Sequence, residues 1–128
     1  MVGIADPEID AAALPWAAIE ARLLEVPLLI VHAAVRMPRM ERSLAAHPAG
    51  TGAVTQADIA ARSVIAEAIR HVRAISPPEL PVSGEVADGT PAAVLLRMAA
   101  QARMIVLGSR RLGGWGSFLL GSNGRAAR

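Results

Sequence analysis

The hydrophobic positions of this chain fall into short continuous runs separated by longer stretches with helical spacing. Val2 to Ala5 is a brief apolar run that reads as the end of a first strand. Asp10 to Leu24 places apolar residues at Ala13, Trp16, Ala17, Leu23 and Leu24, which predicts a helix with Asp10 as its N-cap and Pro15 close to the start. Pro27 to Ala33, PLLIVHA, is an unbroken apolar run of strand length. Residues 36–53 hold Pro38, Pro48, Gly50 and Gly52 without any period and predict a loop. The clearest helix is Thr55 to Ile75. Ala61, Val64, Ile65, Ala68, Val72 and Ile75 form one stripe, with Asp58, Arg62, Glu67, Arg70 and Arg73 away from it. Ser76-Pro77-Pro78 stops that helix.

Leu80 to Ala87 alternates as a third strand. Asp88-Gly89-Thr90-Pro91 then turns into a helix, with Thr90 as N-cap and Pro91 at the first helical position. That helix is expected to reach Gln101, and Arg103 to Leu107 reads as a fourth strand. Strands alternating with helices predict the α/β class: one domain over 1–128, with a mostly parallel sheet covered on both faces.

The segment after the fourth strand carries the most chemistry. Gly108 is followed by twelve residues, Ser109 to Leu120, where strand-to-helix connections usually run to about 2–6. The loop ends on the apolar anchor Phe118-Leu119-Leu120, and Gly121-Ser122-Asn123 reads as the opening of a helix. Glycines at a strand tip let a backbone approach a ligand closely, and the first amides of a helix can hold a phosphate. Ligands of parallel sheets bind beyond the strand carboxyl ends, where the strand order reverses. In this chain that point joins Asp6, after the first strand, to Gly108, after the fourth. A nucleotide-sized crevice is the expectation.

Composition narrows the setting. At 128 residues the chain can bury one ordinary core, and with only Trp16, Trp115 and Phe118 as aromatics the packing falls to alanine, valine and leucine. No cysteine is present, which excludes disulfide and thiolate chemistry and fits a reducing compartment. Mean hydropathy is +0.40, yet the longest strongly apolar run, Val26 to Val35, is too short to span a bilayer. Asp6, Glu8 and Asp10 near the start argue against a signal peptide, so a cytoplasmic protein without membrane contact is expected.

Charge divides along the chain. Every basic residue is arginine, and from Gly89 onward Arg97, Arg103, Arg110, Arg111, Arg125 and Arg128 stand without a single acid. An anionic ligand would favour such a half; an uneven surface with no ligand is the alternative. No aromatic interleaving or recognised module points to nucleic acid.

No enzyme signature emerges. His32, at a strand end, reads as a half-buried structural histidine, and nothing pairs His47 with His71 as metal ligands. Asp6 and Glu8 have no partner histidine for acid–base work. Ser122 is open to two readings, a helix N-cap or a phosphate contact, and Trp115 and Phe118 read as loop anchors.

Several motifs, in order and at matching distances, resemble the universal stress protein family over nearly the whole chain. They are Val2-Gly3-Ile4 in the first strand, Trp16-Ala17 in the first helix and Val31-His32 ending the second strand. Gly89-Thr90-Pro91 follows, and then Gly108 with Gly121-Ser122 thirteen residues on. The resemblance implies a three-layer, flavodoxin-like or Rossmann-like sheet, usually a homodimer, whose ATP-binding members hold adenosine and phosphates with these loops. Carried onto this sequence, it implies a site of Asp6, Ala33, Gly108, Arg110, Arg111, Gly121, Ser122 and Asn123, with ATP, and magnesium accompanying it, as the ligand. A stress-response binding and regulatory role is implied in place of catalysis. A family member that has lost nucleotide and works by association with a protein partner is the alternative.

Three departures bear on these implications. The family's first-loop aspartate falls on Ala5, with Asp6 one place later. Arg111 stands where the family has the middle glycine of its phosphate loop. At a positive φ it would cost about 1–2 kcal/mol, and its guanidinium would either fill the phosphate space or grip the phosphate. The sequence stops at Arg128, inside the expected last helix, so the family's final strand is expected to be missing and the fourth strand to form a sheet edge open to pairing.

Overall fold

The structure is a computed structural model that describes residues 1–6, 8, 10–34 and 55–108. Its elements are β1 (Val2–Gly3), α1 (Ala13–Leu23), β2 (Leu28–Ala34), α2 (Gln56–Ile75), β3 (Val82–Asp88), α3 (Pro91–Ala99) and β4 (Val106–Leu107). The predicted loop over 36–53 and everything after Gly108 lie outside the described residues.

All strand pairs are parallel, in the order β3-β2-β1-β4. β2 and β3 pair along their whole length, from Leu28 with Val82 to Ala34 with Asp88. β1 is short but central, with Val2 paired to both Ile30 and Val106. Period-two alternation separates two cores. Val2, Ile4, Leu28 and Ile30 face α1 and α2, meeting Leu14, Ala17, Ile65, Ala68 and Val72. Val31 and Ala87 face the other way, onto Val94 and Leu95 of α3. Three layers result.

The helices α2 and α3 begin where the sequence places their signals. Thr55 and Asp58 form a reciprocal capping box on α2, and Thr90 Oγ1 accepts from the Ala93 amide ahead of Pro91 in α3. Gly84 lies on β3 against Ile65 and Ile69 of α2, and a Cβ there would collide with Ile65. The Asp10 cap, the exposure of Trp16, Leu23 and Ile75 and the start of the fourth strand differ from the sequence reading, whereas Pro15 lies near the start of α1 as expected. Asp10 does not cap α1, whose N-cap is Ala12 without a side-chain bond. Pro15 falls in the first turn of α1, where its missing N–H has no intrahelical partner to lose. Trp16 and Leu23 are exposed, as is Ile75 at the end of α2. The fourth strand begins at Val106 instead of Arg103 and is half-buried, an edge of the sheet among the described residues.

Candidate functional site

The strand order reverses between β1 and β4, and the crevice begins at their carboxyl tips. Because Gly3 pairs with Leu107, the next residues on each side, Ile4 to Asp6 and Gly108, stand together beyond the sheet. This places two of the expected site residues, Asp6 and Gly108, at one end of adjacent strands.

What joins the tips is Asp10. Its carboxylate is buried, and Oδ2 accepts from the amides of Ala5 (2.7 Å) and Asp6 (3.1 Å). The Asp10 amide in turn donates to the Asp6 carbonyl at 2.9 Å, so the β1–α1 loop closes on itself. The other oxygen, Oδ1, lies against Gly108, where any Cβ would collide with it. The glycine at the tip of β4 is therefore required by a neighbouring carboxylate of the same chain. The Asp6 side chain also serves the loop, with Oδ1 accepting from the Glu8 amide at 2.8 Å in an Asx-type turn. Ala5, where the family motif has aspartate, is exposed.

His32 bridges the tips of β2 and β1. Its Nδ1 lies 3.0 Å from the Ile4 carbonyl. A carbonyl can only accept, so Nδ1 carries the proton and donates. The ring is half-buried, as the sequence suggests. Ala33, the next residue, turns to the opposite face and packs with the Val31, Ala87, Val94 and Leu95 cluster. Arg110, Arg111, Gly121, Ser122 and Asn123 lie outside the described residues.

The basic half does not converge on this crevice among the described residues. Arg97 reaches the Asp88 carbonyl at 3.4 Å, while Arg103 sits at the amino end of the sheet. In a parallel sheet the residues just before a strand lie opposite those just after it, which is why Arg103 and Gly108 part company. The carboxylates of Asp6, Glu8 and Asp10 belong to the crevice loop instead. No three His, Asp or Glu side chains gather as metal ligands among the described residues. Arg103 lines a separate cavity of about 520 Å³ with Met1, Leu24, Leu28, Met98 and Met104, below the amino ends of the strands. No helix among the described residues is long and apolar enough to cross a membrane.

Sequence reasoning gave Asp10 only a capping role and missed its place in the crevice. A signal was available: a short carboxylate a few residues behind a strand tip can turn back onto the amides of its own loop.

Residues 1–127 match the model of the Usp, universal stress protein, family. No curated protein matches the chain. The fold is similar to the structure of a universal stress protein from Archaeoglobus fulgidus, at 20% identity and a TM-score of 0.63, covering 95% of this chain and 90% of that one. At that identity the likeness speaks for the fold, and the family match spans nearly the whole sequence. This chain belongs to the universal stress protein family.

Proposed function

We propose that this family member is a stress-response regulatory protein that binds an adenine nucleotide, ATP or AMP, in the carboxyl-end crevice. The pairing of β1 with β4 carries the reading, because it sets Gly108 beside the Ala5–Asp6 loop at the reversal of strand order. The residues fit the nucleoside end. The carboxylates of Asp6 and Asp10, beside Gly108 at the strand tips, can accept from ribose hydroxyls or the adenine amine. In this reading Arg110, Arg111 and the Gly121-Ser122-Asn123 turn take the phosphates, with magnesium neutralising part of their charge. The protein acts as a cytoplasmic homodimer. Calorimetry with ATP and magnesium tests the proposal: heat at micromolar ligand is expected, and silence at millimolar ligand overturns it.

A second reading is favoured by one observation. Trp16, Ile19 and Leu23 project outward along α1 and are more than half exposed. An apolar row of that kind suits association with a second copy of the chain. If this is the function, nucleotide gives no heat, the chain elutes as a dimer, and Trp16→Glu returns it to a monomer.

A further inference from the structure

The crevice already contains an anion. Strand-tip amides are the groups that usually receive a ligand phosphate. Here the amides of Ala5 and Asp6 are both engaged by the Asp10 carboxylate, which is buried and wedged against Gly108. A phosphate placed at these tips would have to displace Asp10 or lie beside a like charge in a site of reduced dielectric. Asp6 Oδ1 and the Ile4 carbonyl accept from the Glu8 amide and from His32, so the described wall consists of acceptors whose donors come from the chain itself. A wall of that kind suits a ligand that brings donors, such as hydroxyls and an exocyclic amine, and disfavours one that brings oxyanions.

Resting on the nucleotide reading above, we infer that Asp10 is a specificity-determining residue that makes this crevice select the nucleoside moiety and withholds from it the affinity that phosphates otherwise add. The ligand class is a nucleoside, or a nucleotide whose phosphates extend away from the β1 and β4 tips. Asp10 satisfies the loop amides, and the same carboxylate sets the sign of the charge the crevice accepts. Gly108 makes the arrangement possible by leaving room for Oδ1.

The test compares adenosine, AMP and ATP by calorimetry on the 128-residue chain and on Asp10→Asn, which keeps an oxygen for the two amides and removes the charge. In the unaltered chain ATP is expected to bind no more than about threefold tighter than adenosine. In Asp10→Asn, ATP is expected to tighten by about tenfold or more, with adenosine changed by less than about threefold. An unaltered chain that binds nothing, adenosine included, beside an Asp10→Asn that binds ATP, overturns the inference, since Asp10 then selects no nucleoside. Adenosine binding with a tenfold preference for ATP that Asp10→Asn leaves unchanged overturns it while sparing the nucleotide reading. Absence of binding in both proteins overturns the nucleotide reading and this inference with it. If circular dichroism shows Asp10→Asn unfolded, Asp10→Ser supplies a neutral hydroxyl acceptor, and the ratio of ATP to adenosine in the unaltered chain still decides the matter.

Discussion

The two ends of the sheet are held by different forces. At the carboxyl end, Ala5, Asp6, Glu8, Asp10 and His32 exchange hydrogen bonds around the β1 and β4 tips, and a buried carboxylate joins them. At the amino end, Met1, Leu24, Leu28, Met98 and Met104 surround a cavity with side chains that are mostly apolar. Hydrogen bonds impose direction, so the first end is specified atom by atom. Contacts among leucine and methionine are adaptable, so the second end is filled only approximately. Specific chemistry belongs at the first end and tolerance of volume at the second.

The largest expected effect probes the second end. Leu28 is 1% exposed in the core beside the cavity, so Leu28→Ala opens a void there and removes buried surface. A loss of about 3 kcal/mol in urea unfolding is expected. A cost below about 1 kcal/mol would mean that the amino end collapses freely and that packing is not what holds it.

Next comes the carboxyl end itself. Asp10→Ala strips the acceptor from two amides, and a cost of about 2 kcal/mol is expected. Asp10→Asn, which retains an oxygen, should cost clearly less in the same unfolding measurement. Equal losses for the two variants would show that charge, and not hydrogen bonding, closes the loop.

A smaller effect of opposite sign lies where α1 leaves the sheet's amino end. The helix ends in a Schellman arrangement. The Val26 amide donates to Ala21, the Glu25 amide donates to Arg22, and Glu25 sits at φ 56. Only glycine adopts that conformation without penalty, so Glu25→Gly is expected to stabilise the chain by about 1 kcal/mol. A destabilised variant would show that the side chain makes a contact worth more than the backbone strain.

How legible these features are in the sequence depends on what sets each one. The long period of α2 and the Thr90-Pro91 start of α3 are local signals, and both appear where expected. The meeting of Asp6 and Gly108 is also legible, because alternating strands and helices fix which ends face the crevice. The orientation of α1 is not legible. Nearly every residue from Ala11 to Ile19 is apolar, so hydrophobicity cannot choose a face. Size chooses it: Ala13, Ala17, Ala18 and Ala21 let the helix approach the sheet closely, and Trp16 is turned outward. The role of Asp10 is hidden for a similar reason. Capping and loop closure use the same residue type, and only the path of the loop decides between them.

The smallest effect sharpens the contrast through pH. Met1 lines the amino-end cavity, its ammonium group donates to the Met104 carbonyl at 2.9 Å, and burial lowers the pKa of that group from the usual 8.0. The folded chain therefore gives up this proton more readily than the unfolded chain. Between the lowered value and 8.0 the unfolded state holds more protons, so stability rises with pH across that window. Below the lowered value both states are charged and the burial penalty is fully present; above 8.0 it is gone. The amine is half exposed, so solvent weakens the effect, and the neutral amine still has a proton to donate to Met104. Acetylating Met1 removes the titration while leaving every other group in place. The urea midpoint of the free chain, taken relative to the acetylated one, is expected to climb as the pH rises toward 8.0 and then level off. A difference that stays flat would show that the amino end is wet enough to solvate a full charge, and the division between an apolar end and a polar end would not hold at Met1.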